Sequence, residues 1–186
     1  MKSECQRYPI VSLDYVCKSI TDGSHNPPIG VDHSDNYMLS SKNIINGLIT
    51  LDDPRYLTDE QFAIEDKRTQ VAANDVLLTI VGTIGRTAIV PKYRPKIVLQ
   101  RSVAVLHPKS EMINSVYLRQ ALDCIREEIE AEAHGIAQKG IYLGQLKKLE
   151  IVLPPFDLQN QFAAFYEQTD KSKFDIMKCI ISKQNP

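Results

Sequence analysis

Between residues 16 and 108 the apolar positions fall in short β-branched runs. Glycine, proline and Asp-Gly break them, as expected of strands joined by tight turns. The run over 16–20, Val-Cys-Lys-Ser-Ile, ends at Asp22-Gly23, and Gly-Leu-Ile-Thr-Leu at 47–51 stops at Asp52-Asp53-Pro54. Residues 75–90 carry two such runs around Gly82 and Gly85, and 96–108 continues with alternating Val103 and Val105. These spacings predict a small, curled, mainly antiparallel sheet. Between the runs, Thr58-Asp59-Glu60-Gln61 fits a capping box and predicts a short helix over 59–66.

From Ser115 the period changes. Leu118, Leu122, Ile125 and Ile129 recur at spacings of 4, 3 and 4, the apolar stripe of an amphipathic helix that should end before His134-Gly135. A short helix over 142–149 leads to a strand at 150–153, closed by Pro154-Pro155. Asp157 is the expected N-cap of a long helix from Leu158 to about Ser182. Phe162, Tyr166, Thr169, Lys173, Ile176 and Ile180 then form a heptad seam, weakened in its middle by Thr169 and Lys173. At 1.5 Å per residue this helix would run roughly 35–40 Å. The expected class is α+β, with a sheet domain and short helices over 1–156 and a coiled-coil-type helix over 157–186.

Composition narrows the function classes. With 186 residues, 43% hydrophobic and 24% charged, the chain can bury one good-sized core. No apolar run approaches the ~18 residues that span a bilayer, and residues 1–10 hold no signal-like segment, so no membrane role and a cytoplasmic location are expected. Cys5, Cys17, Cys124 and Cys179 form no Cys-x-x-Cys pair, which points to reduced, buried thiols and no structural metal. The net charge of −1 hides an asymmetry: residues 1–66 hold 5 Lys/Arg against 11 Asp/Glu, whereas 67–110 hold 8 against 1. A basic segment in a neutral protein is the footprint of a polyanion-binding surface, or else a solvated strand-and-turn face.

Asn26-Pro27-Pro28-Ile29 lies one residue from the Asn-Pro-Pro-aromatic signature of adenine-N6 methyltransferases. The aromatic that would stack on a flipped base is replaced by Ile29. Gly82-Thr83-Ile84-Gly85 leads into a strand, and no glycine-rich strand-to-helix loop for a methyl donor is present. Two prolines instead fix a rigid, extended crossing. His25 and His107 sit beside prolines and are expected to bond backbone rather than to act as bases or metal ligands.

In order, several blocks resemble the DNA specificity subunit of type I restriction-modification systems. They are DGSHNPP with LSSKNIINGLI (39–49), DVLLTIVGTIGRTAIVP (75–91), VLQRSVAVLHP (98–108) and GIAQKGIYLGQLKKLEIVLPPFDLQNQFA (135–163). The resemblance implies a target recognition domain that reads double-stranded DNA, does no chemistry and needs no cofactor. Separate methyltransferase and restriction subunits would modify or cut. Family members usually carry two recognition domains and two paired helices; this chain has one of each. It resembles half a subunit, expected to homodimerise through Phe162, Tyr166, Ile176 and Ile180 and to read a split palindromic site. A segment of a longer product is the alternative, and a regulatory half-subunit that assembles without reading DNA is another.

Cations fix phosphates, and paired donors and acceptors read base edges. On that basis the candidate DNA contacts are Lys42 with Asn43, Arg86 after the glycine turn, Gln100 with Arg101, and Gln138 with Lys139. The glycine turn could add an anion-binding concavity of backbone N–H groups. Strand alternation lets at most one of Gln100 and Arg101 face DNA.

Overall fold

The computed structural model describes residues 7–93, 95–133 and 139–182, with side chains described as far as residue 169. In chain order it places β1 (Ile10–Ser12), α1 (Leu13–Val16), β2 (Cys17–Asp22), β3 (Asn36–Leu39), a 3-10 turn (Ser41–Asn43), β4 (Ile44–Ile45), β5 (Leu48–Ile49) and β6 (Arg55–Tyr56). Next come α2 (Asp59–Thr69), β7 (Val76–Thr79), β8 (Thr87–Ile89), β9 (Lys96–Leu99) and β10 (Val103–Pro108). The chain then continues through α3 (Ser115–Cys124), α4 (Arg126–Ala131), α5 (Leu143–Leu146), β11 (Glu150–Val152) and α6 (Phe156–Ser182). The class is α+β, as the patterning implies.

A four-stranded antiparallel sheet in the order β2-β10-β7-β8 forms the centre. Val105 pairs with Thr21 on one side and Leu77 on the other. Alternate residues leave its two faces, and both faces are covered, which is why β7 reads as an unbroken apolar run. Val76, Leu78, Ala104 and Leu106 pack with Leu118 and Leu122 of α3. Leu77, Val103 and Val105 pack with Leu39, Ile97 and Leu99 of a second sheet, ordered β6-β3-β9. Each buried aliphatic side chain contributes about 1.5–3 kcal/mol, so this double-sided layer carries most of the driving force for folding.

The second sheet departs from the antiparallel expectation. β3 and β9 run parallel, with Tyr37 opposite Ile97. The reason is topological: α2 and the β7–β8 hairpin lie between them in sequence, long enough for the crossover that parallel pairing requires.

Local signals are obeyed more closely. Thr58 accepts from the Gln61 N–H at 3.2 Å and Gln61 returns the bond at 3.1 Å, the capping box as expected. The helix runs three residues beyond 66 and ends where Gln70 adopts φ 45°. The stripe from Ser115 breaks at Ile125 into two helices; His134-Gly135 lies outside the described residues. α6 begins at Phe156, so Asp157 sits in its first turn, where a carboxylate suits the helix dipole, and is not the cap.

The heptad seam changes meaning in the structure. Phe162 packs edge-on against Tyr117 of α3 (5.9 Å, 85°) and against Tyr166 (6.2 Å), and Arg119 of α3 lies over the Tyr166 ring at 5.8 Å. These two positions therefore dock α6 on its own domain; Ile176 and Ile180 lie outside the described side chains. Buried Gln159 strengthens the joint, accepting from Asn114 N–H and donating to the carbonyls of Met112 and Pro154.

Cys17 is buried, and burial pushes its thiol up to about 12, so it is inert at neutral pH. Cys124 is exposed, against expectation; Cys5 and the side chain of Cys179 lie outside the described residues. Among the described residues no helix is long and apolar enough to cross a membrane, and no group of three His, Cys, Asp or Glu could hold a metal ion.

Candidate nucleic-acid interface

Three turns meet at one edge of the two sheets and are laced by backbone hydrogen bonds. The turn after β2 is held where Ser24 N–H donates to Leu99 O (2.8 Å) and Arg101 N–H donates to Ser24 O (2.9 Å). The turn after β3 is held by Gln100 N–H to Leu39 O (2.8 Å) and by Ser41 N–H to the Ser102 hydroxyl (3.0 Å). The lacing is tight at Gly23, where a Cβ would lie within 2.5 Å of the Gln100 carbonyl carbon and closer still to the Leu99 carbonyl. Such a joint fixes side chains on loops as firmly as a strand would.

The laced turns form a run of three open clefts that share residues. The first, about 430 Å³, has Asp22, His25, Arg68 and Arg101 over an apolar floor of Ile80 and Ile141, with Tyr142 at its rim. The second, about 270 Å³, shares His25, Val81 and Arg101 with it and adds Gln100 and the hydroxyls of Ser24, Ser40, Ser41 and Ser102. The third, about 330 Å³, shares Ser40 and Gln100 and adds Lys42, Arg55 and Ile29.

The sequence-derived candidates divide on this surface. Gln100 and Arg101 line one cleft together, because the chain leaves the sheet at Leu99 and turns; the alternation argument does not apply to a turn. Among the described residues Arg101 has no ion-pair partner and is exposed, a free cation beside a free amide. Lys42 is exposed on the third cleft and ion-paired to Asp53. Lys139 is exposed, next in sequence to Gly140 of the first cleft, and its carbonyl accepts from Gly82 N–H at 3.3 Å. Gln138 lies outside the described residues.

Asn43 does not present a base-reading edge. It is buried, its amide donates to the carbonyls of Thr50 (3.2 Å) and Asp52 (2.9 Å), and its oxygen accepts from Ser40 N–H (3.0 Å). Its role here is to hold the turn that presents Lys42.

At the glycine turn, where a concavity of N–H groups is expected, three of them are already taken up within the protein. Gly85 N–H bonds Thr79 O, Arg86 N–H bonds the Thr79 hydroxyl, and Gly82 N–H bonds Lys139 O. Arg86 reaches Ile44 O at 3.5 Å and faces a separate depression.

Nor is the basic segment a single patch. Lys96 pairs with Asp59 (3.7 Å), Lys109 donates to Tyr15 O (2.7 Å) and Lys92 lies over Tyr93. Arg94 lies outside the described residues. Among the described cations of this segment, Arg68 and Arg101 alone line the laced clefts, and Arg68 is neutralised by Asp22 at 2.6 Å.

Both histidines pair with carboxylates, and His107 also bonds the Thr69 backbone as expected. His25 meets Asp22 at 2.7 Å; His107 meets Asp75 at 3.0 Å, and that bond raises the pKa of His107 against the opposing effect of burial. The Asn-Pro-Pro loop is braced by Arg55, which donates to the carbonyls of Pro27 and Pro28, and by Val31 N–H to Tyr56 O (2.9 Å). Gly30 at φ 89° lets it turn, and Ile29 stands almost fully exposed.

Residues 33–184 match the type I restriction modification DNA specificity domain. The chain is 29% identical over 127 residues to the type I restriction enzyme EcoBI specificity subunit of Escherichia coli, covering 67% of this chain and 26% of that protein. Its fold resembles the crystal structure of an HsdS subunit from Thermoanaerobacter tengcongensis (TM-score 0.67, 17% identity), covering 94% of this chain and 40% of that one. It also resembles a type I S subunit from M. genitalium (TM-score 0.63, 15% identity), covering 96% and 43%. The chain thus spans about a quarter of the curated relative and two-fifths of the solved subunits.

Proposed function

The chain belongs to the type I restriction-modification DNA specificity family, and from that premise we propose that it reads double-stranded DNA through the laced clefts. The observation that carries this reading is the placement of Gln100 and Arg101 side by side in a hydroxyl-lined, open cleft whose three walls are pinned to each other. An amide and a guanidinium supply the paired donors and acceptors that distinguish adenine and guanine edges. Lys42 and Lys139 flank them as phosphate-positioning cations. The chain supplies recognition and no chemistry or cofactor site; methyltransferase and restriction subunits of the same system act on the DNA it selects.

The methyltransferase alternative is disfavoured by two observations. The Gly82–Gly85 turn enters strand β8, and the central sheet is antiparallel, so the strand-to-helix phosphate and donor loop of a parallel α/β sheet is missing from this region. Calorimetry with S-adenosylmethionine should give no heat of binding; micromolar binding to the isolated chain would favour the methyltransferase instead.

Assembly is a second proposal. Phe165 stands exposed on α6 next to the face that docks on α3, which leaves apolar surface on that helix for a partner to cover. A second copy pairing through α6 would give twofold-related recognition domains and a split palindromic site. Light scattering at tens of micromolar should give the dimer mass, and a monomer with intact α6 would remove this proposal.

DNA reading itself is tested by competition between duplexes. Arg101→Gln and Gln100→Ala should each weaken discrimination against altered base pairs by about 1–3 kcal/mol per lost contact. Unchanged sequence preference in both variants would move the reading surface elsewhere.

A further inference from the structure

The far end of the Gly82–Gly85 turn lines a depression of about 300 Å³, separate from the three clefts, in which Arg86, Arg119 and Arg126 meet. The sequence blocks point only to Arg86, just before β8, because the other two cations come from α3 and α4. The lining holds three guanidiniums and one carboxylate, Asp123.

Each guanidinium carries five N–H donors. Among the described residues the acceptors they meet are few: Ile44 O at 3.5 Å for Arg86, the Thr87 hydroxyl at 3.4 Å and Asp123 at 3.7 Å for Arg119, and Glu130 at 2.8 Å for Arg126. Asp123 is itself engaged by the Thr87 hydroxyl at 2.7 Å.

The cluster is held in place. Arg119 is mostly buried and sandwiched, with the Tyr166 ring on one side and Gly47 on the other. A Cβ on Gly47 (φ 78°) would come within 2.8 Å of the Arg119 Cζ, and one on Gly85 (φ 83°) within 2.9 Å of the Arg126 Cγ. Two turns thus use residues without side chains where the arginines pass. Asp123 and Glu130 offset only part of the charge of the three guanidiniums, so the pocket stays net positive and favours an anion.

We propose that this pocket is a DNA phosphodiester site, distinct from the base-reading clefts and indifferent to sequence, that clamps the backbone beside the bases being read. The inference rests on the DNA-reading proposal and deepens it. Planar guanidinium forks bind pairs of phosphate oxygens well. Asp123 and Glu130 answer two of the three cations, and the one positive charge left over, offered by planar forks with most of their N–H donors unmet, suits a phosphodiester.

The test is duplex binding by the full chain assembled with a type I modification subunit, on preferred and random sequences, over about 50–200 mM salt. Arg86→Gln and Arg126→Gln should each reduce the log–log salt slope by about one, equally on both sequences, while Arg126→Lys keeps the slope. Arg119→Lys retains the charge of the packed position and should also keep it. Melting curves establish that each variant is folded, and Arg126, on the exposed start of α4, is the variant least coupled to the core. Binding by the Gln variants with an unchanged slope overturns the phosphate site while leaving DNA reading intact. Loss of assembly with the modification subunit at unchanged slope overturns it in favour of an acidic protein partner. Absence of binding by the wild-type assembly sinks both proposals.

Discussion

Asn43 and Lys42 are neighbours in one 3-10 turn, yet one is a buried staple and the other an exposed cation. In sequence both are polar loop residues; the partners that bury Asn43, Thr50 and Asp52, arrive only when the β4–β5 hairpin folds back. Asn43→Ala leaves the Ser40 N–H and two carbonyls unmet and should cost about 1–3 kcal/mol of stability in denaturant unfolding. An unchanged midpoint would show that the staple is dispensable. His107 gives a pH signature. Its folded pKa is raised, first by the Asp75 hydrogen bond, against burial and Lys18, with the Thr69 backbone assisting. Its contribution to stability is therefore fully present below the ordinary histidine value of 6.5 and lost as pH rises through the raised value. The stability gap between wild type and His107→Gln should shrink as pH rises above 6.5 through the raised value. A gap that stays constant or widens would mean that the pair does not couple to folding.

Elements set by local chemistry are legible in the sequence: the Thr58–Gln61 capping box, the β7–β8 hairpin and the start of α3 all follow from nearby residues. Elements set by distant partners are not. The parallel β3–β9 pair depends on a crossover that no short window contains, and it is this pair that ends at Leu99 and turns Gln100 and Arg101 together into the cleft. Gly23 reports on that joint. Gly23→Ala should lower stability by at least about 1–3 kcal/mol, because the obstructing atoms are backbone and cannot rotate away. Near-native stability in thermal melts would mean that the turns can separate. Gln159, a helix-start glutamine in sequence, joins three segments in the fold. Gln159→Ala should loosen α6 from α3, read as faster amide exchange over residues 158–166, whereas unchanged exchange would place the anchor in the Phe162–Tyr117 contact alone.

For the molecule as a whole, the ordered sequence blocks and the matching family model agree on the family, while the laced clefts proposed to read DNA are a tertiary product. The charge asymmetry along the chain suggests one basic face; folding instead sends Lys96 to Asp59, Lys109 to Tyr15, Arg86 to the arginine pocket and Arg101 to the laced clefts. A count of charges in a window cannot anticipate that partition, since strand order decides which side each cation leaves. The Asn-Pro-Pro loop, which in sequence invites a catalytic reading, is a braced wall of the clefts proposed to read DNA. The most direct test of DNA reading through the laced clefts is to map methylation genome-wide in cells carrying this chain with a type I modification subunit, as wild type and as Arg101→Gln. One defined motif is expected for the wild type, and a motif relaxed at one or two positions for the variant. Methylation without a motif, or an identical motif in both, would contradict it.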